Sequence, residues 1–72
     1  MHLKELTYIV TLADERSISR AADKLFMAQS SLSQFLSQYE AELGLPLFVR
    51  TSKGIRPTAA GTLFIDNART IL

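Results

Sequence analysis

Ser17-Ile18-Ser19-Arg20-Ala21-Ala22-Asp23-Lys24-Leu25-Phe26-Met27-Ala28-Gln29-Ser30-Ser31-Leu32-Ser33 is the stretch whose reading decides the fold. Ser19, with Ser17 as the second choice, is placed to cap a short helix over 20–25. A hydroxyl there accepts from first-turn N–H groups that have no partner inside the helix. Ala21 and Ala22 are small enough to let a second helix cross closely. Met27-Ala28 is then a tight link, and a third helix starts at Gln29 or Ser30 and runs to Glu42. Leu32, Leu36, Tyr39 and Leu43 form its apolar stripe. Gly44 suits the residue after the helix end, and Pro46 stops continuation. Two helices joined by so short a link, the first rich in alanine, predict a helix-turn-helix.

Upstream, Leu3, Leu6, Ile9, Val10 and Ala13 recur at helical spacing and predict a helix over 3–15. Downstream the period changes. Leu47-Phe48-Val49-Arg50 and Ile55-Arg56-Pro57 flank Thr51-Ser52-Lys53-Gly54, a hairpin pattern with a four-residue loop. Strands this short need support from the helices, and Leu47, Phe48 and Ile55 are the expected inward residues. Thr58 is placed to cap a last helix over 59–72. That helix is apolar on more than one side, through Leu63, Phe64, Ile65, Ala68, Ile71 and Leu72, and it ends without a stop signal. It is expected to be a pairing helix cut short, the alternative being a frayed terminal helix. The class expected is mainly α: a winged helix-turn-helix, with a three-helix core and a two-stranded wing, followed by a linker or dimerisation helix. The expected division is 1–58 for the reader and 59–72 for the pairing helix.

Composition narrows the function. The 72 residues make one domain and contain no cysteine, so disulfides and cysteine metal sites are excluded. A single histidine, His2, makes a metal site or an activated serine nucleophile unexpected, and no glycine-rich phosphate loop is present. No enzyme activity, cofactor or metal is therefore expected. With no long apolar run and no signal-peptide pattern at the N-terminus, no membrane is expected and the cytoplasm is the expected location. The net charge is only +1, but no acid lies between Glu42 and Asp66, where Arg50, Lys53 and Arg56 fall. Such a segment is either a phosphate-contacting surface or a solvated loop.

Projected at about 100° per residue, the third helix presents Ser30, Ser33, Gln34, Ser37 and Ala41 opposite its apolar stripe. Gln29 lies at the N-terminal end and Gln38 on a flank. A solvated face normally carries lysine and glutamate; serine is a poor choice for that. Serine and glutamine suit a DNA groove, where glutamine pairs bidentately with adenine and serine bonds several base edges. Gln29, Ser30, Ser33, Gln34 and Ser37 are the expected base readers. Lys53 at the hairpin tip is placed for a phosphate or the minor groove, and Arg50 and Arg56 for flanking phosphates, with Ser31, Gln38 and Thr58 beside them. Arg50 has an alternative, an ion pair with Glu40 or Glu42.

Leu3–Leu6–Ile9, Ser17 to Leu25, Gln29 to Ser33, Glu40-Ala41-Glu42-Leu43-Gly44, Leu47-Phe48-Val49-Arg50 and Thr58-Ala59-Ala60-Gly61 together resemble the N-terminal domain of LysR-type transcriptional regulators. The resemblance implies a fragment of a longer regulator, with a small-molecule effector bound only by a domain absent from this chain. It implies an antiparallel homodimer through the last helix (Leu63, Phe64, Ala68, Ile71 and Leu72), tetramers of the parent, and duplex DNA carrying an interrupted inverted repeat as partner. The chain departs from the family pattern at several positions. Ala28 stands where serine or threonine is usual, Ser30 where proline is common, and Phe35 where a polar residue is usual. Gln34, Ser37 and Gln38 occupy positions where arginine or lysine is frequent, so the reading helix carries no positive charge. Another winged-helix repressor, or a winged-helix module for protein contact, are the rival readings.

Overall fold

The computed structural model describes residues 2–72, in the order α1 (Leu3–Glu15), α2 (Ile18–Leu25), α3 (Gln29–Leu43), β1 (Phe48–Thr51), β2 (Gly54–Pro57) and α4 (Ala59–Ile71). The Glu5 carboxylate starts α1 by accepting from the His2 N–H at 3.1 Å. The helix ends where Arg16 turns left-handed, with φ 56° and its N–H on the Leu12 carbonyl. Leu6, Ile9 and Leu12 form the buried face, while Leu3 stays outside.

Ser17, not Ser19, caps α2. Its hydroxyl accepts from the Arg20 N–H at 3.1 Å, and the helix begins at Ile18. The reason is burial: Ile18 lies in the core and the chain must already be helical there. Ala21 and Ala22 are buried where α2 packs against α1 and α3, as small residues at a close crossing should be. The core also holds Ile9, Leu12, Leu32, Leu36 and Leu47.

The predicted stripe of α3 is right at Leu32, Leu36 and Tyr39, but Leu43 lies at the surface. Phe35 joins the core edge through an aromatic chain. Its ring meets Tyr8 edge-on at 5.1 Å and stacks on Tyr39 at 5.3 Å, and Tyr39 meets Phe64 edge-on at 5.9 Å. Such pairs add about 0.5–1.5 kcal/mol each beyond area burial. The run of rings links α1, α3 and α4, with Phe35 making the contact to α1 and Tyr39 the contact to α4.

The wing is antiparallel, with Phe48 opposite Pro57 and Thr51 opposite Gly54. The loop is two residues, Ser52-Lys53, not four. The Thr51 hydroxyl donates to the Gly54 carbonyl and accepts from the Lys53 N–H, which carries the pairing into the expected loop. Leu47, Phe48 and Ile55 all point inward as expected. The Ile55 N–H donates to the Arg16 carbonyl at 3.0 Å, fixing the wing on the turn between α1 and α2.

Thr58 caps α4 by accepting from the Gly61 N–H at 2.9 Å. Gly61, Ile65 and Ala68 face inward, and α4 packs along α1. A Cβ on Gly61 would collide with the Leu47 carbonyl oxygen, so the close approach of α4 to the wing root requires glycine.

Candidate nucleic-acid interface

The second helix of a helix-turn-helix pair projects where two things coincide. Its core-facing stripe must fill the space beside α2, so its opposite face is left bare. On α3 that bare face carries Ser30, Gln34, Ser37 and Ala41, all exposed, with Gln29 and Ser31 exposed at the N-terminal end. Ser33 is half-buried on the flank facing the wing. No side chain of α3 is positively charged, and Ala28 supplies no capping hydroxyl. The first N–H groups of α3 are therefore open to solvent or to an acceptor supplied by a ligand.

The wing separates its two arginines by the two-residue period of a strand. Arg50 pairs across the ribbon with Ile55 and shares its inner side; Arg56 pairs with Val49 on the outer side. Arg50 Nη2 donates to Ser33 Oγ at 3.0 Å, so it binds the reading helix, not Glu40 or Glu42. The Glu40 carboxylate is engaged elsewhere, accepting from the N–H groups of Leu47 and Phe48. Lys53 stands exposed at the wing tip.

Between the start of α2, the start of α3 and the wing lies an open cleft of about 320 Å³, lined by Ser17, Ser19, Gln29, Arg50, Thr51 and Ser52 among others. Two helix N-termini, an arginine and four hydroxyls meet there. This is chemistry suited to an anionic backbone. Ser17, Ser19, Thr51 and Ser52 were not among the expected contacts. The available signal was that hydroxyl residues at helix starts and beside turns converge when the wing folds back.

Two of the expected backbone contacts have other surroundings in the fold. The Thr58 hydroxyl donates to the Pro46 carbonyl at 2.8 Å, so its one proton is committed inside the fold. Gln38 opens on the other flank, in a cleft shared with Glu5, Phe35, Tyr39 and Glu42. The carboxylates there have the wrong sign for a phosphate. Burial, then the charges of Glu5 and Glu42, push the Tyr39 phenol above its ordinary value near 10, so it stays neutral.

The pairing set on α4 divides. Leu63 is 68% exposed and Ile71 58%, and Leu72 is also exposed, but Ala68 is 1% exposed and Phe64 half-buried against Tyr39. Ala68 is thus a core residue: the side of α4 that meets α1 needs a small side chain. Leu3 of α1 is exposed as well, an apolar residue that helical periodicity alone had assigned to the core. Among the described residues there is no acidic, histidine or cysteine cluster that could hold a metal, and no helix long and apolar enough to cross a membrane.

Comparison with known proteins gives one consistent answer. Residues 3–62 match the family described as "Bacterial regulatory helix-turn-helix protein, lysR family". The whole chain is 43% identical to the "DNA-binding transcriptional dual regulator OxyR" of Escherichia coli (strain K12). It is 42% identical to the "Nitrogen assimilation regulatory protein nac" of Klebsiella aerogenes. It spans 24% of the length of each of these curated relatives. Among solved structures, the BenM_DBD/catB site 1 DNA complex superposes with a TM-score of 0.92 at 38% identity, covering 99% of this chain and 80% of that one. The CbnR_DBD–DNA complex gives 0.91 at 34% identity, covering 99% and 82%. On its winged helix-turn-helix architecture and these matches, the chain belongs to the lysR family of bacterial regulatory helix-turn-helix proteins.

Proposed function

We propose that this chain binds duplex DNA in a sequence-specific way, as the reader of a transcriptional regulator acting in the cytoplasm and not as an enzyme. One observation carries the proposal: an exposed, uncharged serine and glutamine face on α3, beside a wing that presents Lys53 at its tip and Arg56 on its outer side. The relatives solved as DNA complexes support it. Gln29, Ser30, Ser33, Gln34 and Ser37 contact base edges in the major groove. Ser31, Lys53, Arg56 and the cleft between α2 and the wing take phosphates or the minor groove. Arg50 contributes by holding Ser33 and by lining that cleft.

Residues 1–58 carry the reader, and 59–72 begin a helix that pairs with a second copy through Leu63, Ile71 and Leu72, with Leu3 at the rim. Pairing places two reading helices on an interrupted inverted repeat, about one helical turn apart. Effector binding, and tetramers of the parent protein, belong to a part outside residues 1–72.

The test is selection from a random duplex pool at low salt. An enriched inverted repeat is expected; a pool with no enriched motif would leave a protein-contact module in its place. The salt dependence sharpens the test, since the slope of log K against log salt steepens by about 0.9 per phosphate neutralised. With no cation on α3, the slope per protomer stays below that of about six phosphate contacts.

A further inference from the structure

Glu40 lies on the flank of α3 that faces the wing. Its carboxylate oxygen Oε2 accepts from the N–H groups of Leu47 and Phe48, at 2.5 and 3.0 Å. Its backbone carbonyl accepts from the N–H groups of Gly44 and Leu45, at 2.9 and 3.2 Å. One residue thus holds both the end of α3 and the start of β1. Hydrogen bonds to a carboxylate are among the stronger ones.

The same segment carries the start of α4. The Leu47 carbonyl accepts from the Thr58 N–H at 2.9 Å, and the Thr58 hydroxyl donates to the Pro46 carbonyl. Gly61 presses on the Leu47 carbonyl with no room for a Cβ. Residues 46–48 are therefore a joint at which α3, the wing and α4 meet, and among the described residues Glu40 is the only α3 side chain hydrogen-bonded to it.

We propose that Glu40 is a positioning residue whose carboxylate locks the wing root and the start of α4 to the reading helix, and thereby fixes the half-site spacing that a dimer accepts. Half-site spacing is set by the geometry between reading helices and dimer axis. A loose joint between α3 and α4 lets each protomer reach several spacings. The spacing clause rests on the DNA-binding dimer proposed above; the lock itself does not.

Two measurements test it. The chain has no cysteine, so nitroxide labels on Ala41→Cys and Thr70→Cys, in protein diluted with excess unlabelled chain, report the α3–α4 distance within one protomer. In the free chain the distance distribution is expected to widen about twofold in Glu40→Leu, which keeps the bulk but removes the acceptor, while helix content by circular dichroism is kept. Glu40→Gln, whose amide oxygen can still accept from both N–H groups, should fall between the parent and Glu40→Leu. A folded Glu40→Leu with the parent's width would overturn the lock. The second measurement is binding to the selected repeat with its spacer changed one base pair at a time. Glu40→Leu should keep the half-site letters but lose about threefold or more of the preference for the best spacer. Equal weakening at every spacer would overturn the spacing role. A parent that selects no repeat would sink the DNA-binding dimer, while the label widths would still decide the lock.

Discussion

The two ends of α3 are built on opposite principles. At the C-terminal end, Gly44 adopts φ 78°, and the N–H groups of Gly44 and Leu45 return to the carbonyls of Ala41 and Glu40. That is the Schellman arrangement with its preferred residue, and the Glu40 carboxylate adds a second closure. At the N-terminal end, Ala28 offers no cap, and the preceding turn passes through Phe26 at φ 57°. Phe26 makes the same hydrogen bonds as Gly44 does, its own N–H to Asp23 and that of Met27 to Ala22. It does so with a bulky side chain that is 96% exposed. Non-glycine residues in that conformation cost about 1–2 kcal/mol. The contrast separates two tasks: the anchored end sets where the helix points, and the open end keeps its donors available. Open donors and backbone strain are tolerated where binding makes use of them.

The contrast can be broken from either side. Removing the anchor should have the largest effect: Glu40→Ala leaves two N–H groups without their acceptor and should cost about 2–4 kcal/mol in chemical denaturation. A loss under half a kilocalorie would make the anchor redundant. Gln29→Ala at the open end should barely change stability, yet cost about 1–3 kcal/mol on the best DNA site and relax preference at one base position. Unchanged preference would remove Gln29 from the reading face. Capping the open end sharpens the contrast: Ala28→Ser should raise stability by about 1 kcal/mol, read as a higher denaturation midpoint. Phe26→Gly should also stabilise, by about 1 kcal/mol, read in the same way. Lys53→Ala, away from both ends, should leave folding unchanged and reduce the salt slope by about one unit on all sequences alike.

The helices and the ribbon were legible because periodicity is a local property. Leu32, Leu36 and Tyr39 repeat at helical spacing, and Phe48 and Ile55 flank a turn, so their inward sides follow without tertiary knowledge. α4 shows where that stops. Its apolar residues occupy more than one side, and only packing on α1 decides that Ala68 goes in while Leu63 and Ile71 stay out. Glu40 was illegible for a different reason. A glutamate on a helix flank looks like any solvated acid until the chain reverses and brings two backbone donors to it. Thr58 was legible as a cap, but its second partner, Pro46, lies twelve residues away and could not be seen locally. The divergence of Arg50 and Arg56 was available from strand alternation, but the charge gap drew both toward one role.

The packing of α4 along α1 also sets an order of events during synthesis. Leu6, Ile9 and Leu12 are made well before Ile65 and Ala68, on the helix that covers α1. A chain growing from its N-terminus holds α1 with that side uncovered until nearly all 72 residues have emerged. Folding should therefore be a late, all-or-none event in which the closing helix completes a core begun by the opening one. Ending the chain before Ile65 should abolish folding as a whole, not merely shorten one helix.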